Sequence, residues 1–339
     1  MLEVNHFRVS ALMIVAAALA AVLLALVASR PAEAAFPGAN GKIAFASSRV
    51  TTGNPTGDEE IFAMNPDGKG IEQLTSNTAW DTDPAWSADG NWMAFASTQD
   101  GNFEIYMRTD GYFDPVSGFF VFGHTRRLTT NTFSEGAPAF NHDTSKIAFA
   151  SGRDGDTEIY VMDTTDSNPV DGNGDNPTNL TNNTATEGVP TFSPDGTKIA
   201  FSSNQDGNHE VWVMDADGTD AVNLTNNAAG GGSPDFSPDG TKIAFSRDVN
   251  PEPGVTNTEI FVMNADGTNQ KRLTKNAAFD FSPAWSPDGK KIAFESFRGG
   301  DYEIFVMKPR PEGNKNRPKN LTRNDVRDVS PDWRPIPQP

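Results

Sequence analysis

The segment SPDGTKIAFS occurs twice, letter for letter, at Ser193–Ser202 and Ser237–Ser246. Looser copies of it start at Asn40, Ser87, Asn141 and Ser286. The apolar residues that begin the KIAF strand are spaced by 50, 54, 52, 44 and 49 positions, and they are Ile43, Met93, Ile147, Ile199, Ile243 and Ile292. Repetition at this period is typical of folds built from copies of one supersecondary unit. The chain therefore contains six such units.

Each unit carries three further signals in the same order. A glutamate precedes a second apolar run, such as EIFVM, at Glu60, Glu104, Glu158, Glu210, Glu259 and Glu303. A Leu-Thr pair follows at Leu74, Leu128, Leu180, Leu224, Leu273 and Leu321. A proline two residues before an aromatic residue closes the unit, at Pro84, Pro138, Pro190, Pro234, Pro283 and Pro331.

These signals predict four short β-strands per unit. Runs of about five residues rich in Ile, Phe and Val are typical of strands that are covered on both faces. The SPDG tetrapeptides between them have the residues of a tight turn. No segment after residue 35 shows a helical period with caps. Six four-stranded units predict an all-β, six-bladed β-propeller.

The two ends of the chain predict how the ring closes. The first unit, at Asn40, lacks its proline-aromatic strand, and Ser330–Trp333 is such a strand with no unit after it. We expect Ser330–Trp333 to complete the first blade, because closure removes exposed sheet edges. The expected domains are a signal peptide at 1–34, a propeller at 35–334 and a proline-rich tail at 335–339.

The amino-terminal segment has the features of an export signal. Arg8 precedes an apolar run at Ala11–Ala28, and small residues at Ala32–Ala34 fit a peptidase site. We expect cleavage after Ala34 and a periplasmic or secreted protein without a stable membrane span. The alternative is an uncleaved anchor, because 18 apolar residues could just cross a bilayer. The chain has no cysteine, so its stability must come from packing.

The net charge of the 339 residues is −18. Binding to a phosphate backbone needs clustered Lys and Arg, so this balance argues against a nucleic-acid partner. Gly and Pro number 30 and 24, as expected for many strands joined by tight turns.

The repeated pattern P-x-W/F-S-P-D-G-x-K-I-A-F, followed by E-I-x-V-M, resembles the WD40-like repeats called PD40. These occur in the β-propeller of TolB-like proteins, and the resemblance covers about residues 40–333. It implies an exported envelope protein whose propeller binds a peptidoglycan-associated lipoprotein and can be exploited by bacteriocins. The family also has an α/β domain before the propeller, which we expect to be absent here because the first unit follows Ala34 so closely.

A residue present in every unit most simply serves the blade, so we interpret the six glutamates as hydrogen-bonded strand starts. A second set of acids stands three residues before each proline, interrupted by Gly231, at Asp81, Glu135, Glu187, Asp280 and Asp328. This position predicts a ring near the channel mouth that could hold a cation or a basic peptide end. The alternative is that the acids pair with a second series, at Arg49, Gln99, Arg153, Gln205 and Arg298, which Val249 interrupts. Gly231 and Val249 belong to the same unit, so the two changes could compensate each other.

Candidate metal ligands are few. The three histidines after the signal lie in different units, and without cysteine a zinc site is not expected. Asp171, Asn173 and Asp175 offer oxygen atoms at alternate positions, as calcium loops do, but the glycine and glutamate of a full calcium loop are missing. We expect a polar surface loop here and no cofactor, with calcium binding at this loop as the alternative.

An insertion in the second unit contains clustered aromatic residues, namely Tyr112, Phe113, Phe119, Phe120 and Phe122. Exposed aromatic side chains on a loop suit a partner surface or a sugar platform. The alternative is an extra hairpin that packs on the propeller rim.

The sequence favours a non-catalytic binding module for a protein or peptide partner in the cell envelope or outside the cell, and we expect a monomer. It contains no Gly-x-Ser-x-Gly nucleophile motif. The alternative function is a glycan-active hydrolase or lyase that uses the carboxylates at the channel mouth.

Overall fold

The computed structural model describes residues 38–114, 119–164, 177–227, 229–252, 255–311 and 316–337, with backbone alone at 110–114, 119–122, 250–252, 255–256 and 337. In this part of the chain the backbone forms 24 β-strands and no helix. The strands make six antiparallel four-stranded sheets. The predicted all-β fold with six four-stranded blades is confirmed.

The strands follow one another outward from the centre within each blade. Blade 1 contains β1 (Gly38–Ser47), β2 (Glu60–Met64) and β3 (Glu72–Gln73), with β24 (Asp328–Pro337) as its innermost strand. Blade 2 contains β4 (Asp81–Trp86), β5 (Met93–Ser97), β6 (Glu104–Asp114) and β7 (Phe119–Arg127). Blade 3 contains β8 (Glu135–Phe140), β9 (Lys146–Ser151), β10 (Glu158–Asp163) and β11 (Thr178–Asn179).

Blade 4 contains β12 (Glu187–Phe192), β13 (Lys198–Ser203), β14 (Glu210–Asp215) and β15 (Val222–Asn223). Blade 5 contains β16 (Gly231–Phe236), β17 (Lys242–Glu252), β18 (Val255–Asn264) and β19 (Lys271–Arg272). Blade 6 contains β20 (Asp280–Trp285), β21 (Ile292–Ser296), β22 (Glu303–Met307) and β23 (Lys319–Asn320).

The two middle strands of each blade are buried on both faces, as their unbroken apolar runs predict. Every residue of β2 and of β5 is buried. The register pairs the KIAF strand with the EIFVM strand, so that Ile43 lies opposite Met64 and Phe45 opposite Phe62. Each buried side chain of this size contributes roughly 1.5–3 kcal/mol.

The hydrophobic core of the described residues consists of six clusters, each between two neighbouring blades. One joins Ile43 and Trp333 of blade 1 to Ile304 of blade 6, and another joins Ala44 of blade 1 to Trp86 of blade 2. The other four follow the ring from blade 2 to blade 6. The aromatic residue of each proline-aromatic motif takes part and is only 3–7% exposed, as seen at Trp86, Phe140, Phe192, Phe236, Trp285 and Trp333. The clusters therefore close a full circle.

The strand β24 closes the ring beside β1, as predicted. Trp333 lies opposite Ile43, and Asp332 lies opposite Ala44. The predicted boundary at residue 334 is too early, because β24 continues to Pro337 and pairs Pro335 with Asn40. Proline cannot donate to a ladder, but β24 is an edge strand with β1 as its only neighbour in the sheet, so the strand tolerates its prolines.

Each innermost strand contains a β-bulge just before its proline. The residue there has a left-handed backbone, with φ between 48° and 51°, at Asp83, Ala137, Val189, Ser233, Ser282 and Ser330. A non-glycine residue in this region is strained, by about 1–3 kcal/mol. Bulges change the direction in which side chains point, and these six surround the centre of the propeller.

Candidate functional site

The glutamates shared by all six blades are structural. They occupy the third strand of each blade and are 0–3% exposed. Each carboxylate accepts a hydrogen bond from the backbone N–H of the asparagine in the next Leu-Thr-x-Asn segment, at 2.6–2.9 Å, from Asn77, Asn131, Asn183, Asn227, Asn276 and Asn324. The interpretation as a hydrogen-bonded strand start is confirmed.

The second set of acids begins the innermost strands and is also buried, at 0–2% exposure, as seen for Asp81, Glu135, Glu187, Asp280 and Asp328. The side-chain amide of the same asparagine donates to each of them at 2.6–3.2 Å. One asparagine therefore ties the third strand of one blade to the innermost strand of the next. Little of these carboxylates is left for direct contact with a ligand, and their binding role stays a prediction.

Three of these acids form the predicted ion pairs. Arg49 Nη2 lies 2.8 Å from both carboxylate oxygens of Asp328, and Arg298 Nη2 lies 2.9 Å from Asp280 Oδ2. Arg153 makes the equivalent pair with Glu135. Each guanidinium also stacks on aromatic rings of its own blade, at 4.6–5.7 Å from the ring centres. The alternative interpretation, in which the acids pair with arginine, is confirmed at these three blades.

Blades 2 and 4 have glutamine in place of this arginine, and their carboxyls are perturbed. Burial, with a smaller contribution from the Asp81 charge, raises the pKa of Glu60 to about 7; Glu60 is the blade 1 partner of Asp81 at this junction. Burial also raises the pKa of Asp81 and of Glu187 above the ordinary range. These junctions therefore hold protons at a pH where an exposed carboxyl would be ionised.

Blade 5 lacks the acid, and its arginine stands at a different position from the arginines of blades 1, 3 and 6. The position of Gly231 is opposite Arg247, where the other blades carry serine. The Arg247 guanidinium lies 3.8 Å from the centre of the Phe261 ring and donates to Gln270 at 2.8 Å. Val249 pairs with Asn257 further along the hairpin. The arginine of blade 5 thus stands two residues earlier in its unit, and its Cα and Cβ lie beside Gly231.

The bulges of the innermost strands line a central channel with a cavity of about 230 Å³. Six prolines contribute to its wall, together with three acids that most blades lack at the same position, Asp83, Asp235 and Asp332. The sequence analysis missed these acids. They were detectable as PDF and PDW where other blades have PAW, PAF or PTF, and as the aspartate of DPAW.

The channel acids are hydrogen-bonded to neighbouring blades. Asp235 Oδ2 accepts from the backbone N–H of Trp285, and Asp332 Oδ2 from that of Trp86, both at 2.6 Å. Burial raises the pKa of Asp235 to about 8, with the Asp332 charge adding to it, and raises the pKa of Asp332 to about 7. Carboxyls with such pKa values are partly protonated near neutral pH, so they can donate as well as accept.

Behind the channel wall, Glu295 replaces the small residue found at this position in the other blades. It accepts from Ser282 Oγ at 3.1 Å and from the backbone N–H of Ser330 at 3.2 Å. Burial raises its pKa to about 7, and the Asp83 charge contributes. Four acids therefore surround the channel at positions that the repeat does not require.

The face on which the innermost strands begin, which we term the upper face, exposes several large apolar side chains. Trp80 precedes β4 and is 55% exposed, Phe133 lies before β8 and is 43% exposed, and Phe279 precedes β20 and is 37% exposed. Phe297, at the end of β21, is 40% exposed, and its N–H donates to the Phe279 carbonyl. The repeat does not require an aromatic residue at any of these positions.

The other predicted sites lie at the edge of or outside the described residues. The backbone of Tyr112, Phe113, Phe119, Phe120 and Phe122 forms the extended hairpin of β6 and β7, and their side chains are outside the description. Asp171, Asn173 and Asp175 lie outside it entirely. Among the described residues, no group of three or more His, Asp or Glu could hold a metal ion. The calcium loop stays a prediction.

Comparison with known proteins agrees with this geometry. The PD40 family model, described as the TolB beta propeller domain, matches residues 173–257 and 253–337. Residues 173–337 are therefore similar to a TolB beta propeller domain. A TolB homolog from Chlorobium chlorochromatii is 32% identical over 162 residues, which are 48% of this chain and 32% of that protein. The Tol-Pal system protein TolB from Desulfosudis oleivorans is 29% identical over 117 residues, 33% of this chain and 23% of its own length.

Solved structures share the TolB-like propeller at lower identity. TolB from Acinetobacter baumannii has a TM-score of 0.68 at 22% identity, covering 88% of this chain and 67% of that one. Hydrazine synthase from Kuenenia stuttgartiensis also has a TM-score of 0.68, at 17% identity, over 89% of this chain and 48% of its own. These likenesses show the fold alone. The matches span about a third or less of the curated relatives' length.

No helix in the described ranges has the length and apolar character needed to cross a membrane.

Proposed function

We propose that this chain is an exported, monomeric, non-catalytic binding module that recruits a protein partner of the cell envelope through the upper face of its propeller. The observation that carries the proposal is the exposure of Trp80, Phe133, Phe279 and Phe297 on that face. Aromatic residues are enriched in protein interfaces and dominate their binding energy. Several large exposed aromatic side chains on one face of a domain are therefore typical of a partner surface.

The acids of the channel give this surface its charge preference. Asp83, Asp235 and Asp332 line the cavity at the centre of the ring, and the whole chain carries a net charge of −18. A partner segment that enters the channel should be neutral or basic. The relationship to a protein named for the Tol-Pal system supports an envelope assembly of the same kind.

The alternative, a glycan hydrolase or lyase, needs carboxylates that can reach a substrate. The acids proposed for that role are buried and hydrogen-bonded within the blades, as Asp81 and Asp280 show. The geometry of the ring therefore favours a binding module.

Two sets of variants test the proposal. Trp80→Ser with Phe133→Ser alters the upper face, whereas Ile71→Ser with Val222→Ser alters exposed apolar residues at the opposite edge of the blades. The protein is immobilised, envelope proteins are captured from the native host, and the affinity of each purified partner is measured. Loss of two aromatic anchors should weaken binding about 10- to 100-fold or more, while the control pair should bind normally. Equal binding by both pairs would refute the role of the upper face.

A further inference from the structure

The break in the repeat at blade 5 opens a cleft of about 550 Å³ on the upper face, beside the central channel, with which it shares Val189 and Ser233. Its floor is the start of β16, at Gly230–Gly232, where the other blades carry an acid that fills this position. One wall is the base of the extended β17–β18 hairpin, where Thr258 Oγ1 donates to Asp248 Oδ1 at 2.6 Å. The volume is within the range of small-molecule sites, about 300–1,000 Å³.

One buried polar atom next to this cleft has no hydrogen-bond partner. Ser246 is 3% exposed, and its Oγ has no partner in the described structure. A buried polar group without a partner costs about 1–3 kcal/mol, so its retention calls for an explanation. Hydrogen bonds to a ligand in the cleft would supply one.

The backbone at the floor of the cleft can lie this close to Ser246 and Ser202 only because Gly231 and Gly232 have no side chain. A Cβ on Gly231 would lie 2.7 Å from the Ser246 carbonyl oxygen, and a Cβ on Gly232 would lie 2.6 Å from Ser202 Oγ. The absence of a side chain at these two glycines therefore leaves the cleft open beside β13 and β17. The opposite side is formed by Phe281, whose ring stacks on Phe279 at 6.0 Å with an angle of 5° between the ring planes.

The lining identifies the class of ligand. It contains no Lys or Arg, which argues against a phosphate or a carboxylate. It offers the hydroxyl groups of Ser202, Ser233 and Ser246, which both donate and accept, and the Asp248 carboxylate, which accepts. An ammonium group can only donate and would leave the hydroxyl protons unused. A sugar has many groups that donate and accept, together with an apolar face that fits an aromatic ring.

We infer that the cleft between blade 4 and blade 5 binds a short neutral saccharide, with Phe281 beneath the sugar ring and Ser246, Ser202 and Asp248 bonded to its hydroxyl groups. This site adjoins the protein-binding surface proposed above, because Phe281 stacks on Phe279, but it involves a different ligand, and it requires no catalysis.

Saturation-transfer NMR and calorimetry with cellobiose, maltose and N,N′-diacetylchitobiose test the inference on the full-length protein. At least one of these disaccharides should bind, and Ser246→Ala should weaken binding about fivefold, the equivalent of one net hydrogen bond. Because the Ser246 hydroxyl has no partner in the protein, this variant should keep the melting temperature. Phe281→Ala should abolish detectable binding, whereas Phe297→Ala, on the same face but outside the cleft, should not change it.

Three outcomes would overturn the inference. No disaccharide binds, or disaccharides bind equally well to Ser246→Ala and Phe281→Ala, or only trilysine, included as a cationic probe, competes for the cleft. Partner capture by the Trp80 and Phe133 variants is measured separately, so failure of one proposal does not decide the other.

Discussion

The strand that closes the ring can be removed to test the whole architecture. A chain ending at Val329 lacks Ser330 onward and therefore most of β24. The deletion takes away Trp333, which is 3% exposed in the core between blades 1 and 6, at a cost of about 3–5 kcal/mol. It also removes Asp332, which accepts the buried N–H of Trp86 at 2.6 Å, at a cost of about 1–3 kcal/mol.

The same deletion removes Arg334, which connects blade 1 to blade 2. Its guanidinium lies 4.8 Å from the Trp86 ring centre, and Nε donates to the Gly90 carbonyl at 2.8 Å. This contact contributes about 0.5–2 kcal/mol. The combined loss is about 5–10 kcal/mol, comparable to the whole stability of a typical domain, about 5–15 kcal/mol. We therefore expect the truncated chain to be largely unfolded.

Circular dichroism, size-exclusion chromatography and thermal melting would measure the effect. A control truncated before Ile336 keeps Trp333 and removes a residue that is 48% exposed, so it should melt within a few degrees of the full chain. A chain ending at Val329 that stays compact and melts like the control would refute the closed ring.

Three other predictions follow from particular groups. Arg298→Ala leaves Asp280 buried without its cation and should lower the free energy of unfolding by about 3–5 kcal/mol in chemical denaturation. Adding Asp280→Asn should restore much of this loss. An unchanged free energy of unfolding in Arg298→Ala would contradict a stabilising ion pair. The raised pKa values of Glu60 and Asp332, both about 7, mean that the folded state binds protons more tightly than the unfolded state, in which these carboxyls titrate near 4. Their stabilisation is present at low pH and is lost as the pH rises through about 7, so the melting temperature should fall from about pH 5 to about pH 8, and less so in Asp332→Asn. If calcium binds at Asp171–Asp175, the melting temperature in calorimetry should be higher with calcium than with chelator. Identical curves would exclude a stabilising site.

The fold could be predicted because the sequence pattern of one blade recurs six times. The KIAF and EIFVM runs, the turns and the orphan segment Ser330–Trp333 were enough for strand number, blade number and closure. The β-bulges could not be predicted, because a left-handed backbone at Val189 is unfavourable for a β-branched residue and is imposed only by packing around the channel. The extension of β24 through Pro335 was missed for a related reason, since the edge position that tolerates proline is set by the ring.

The candidate sites were harder to predict because a carboxylate looks the same in sequence whether it is paired or free. The ring that includes Asp81 and Asp280 was found by its spacing. Only the structure shows that the side-chain amide of an asparagine from the preceding blade donates a hydrogen bond to each acid. The channel acids Asp235 and Asp332 lie at a position that varies among blades. Their role depends on the bulge that turns this position toward the centre, which no local pattern indicates.

The network that joins the blades also limits where this propeller can place a ligand site. Five of the six junctions use a glutamate, an asparagine and a second acid, and replacing any one of them leaves a buried polar group without a partner. Positions in this network are therefore poorly suited to evolve new contacts. A site can arise where the network is already broken, as at Gly231, because the missing carboxylate leaves space there and Arg247 is held instead by Gln270 and the Phe261 ring. By this reasoning, the exceptions to the repeat, at the channel, on the upper face and in blade 5, are the places where a TolB-like propeller differs in function from its relatives.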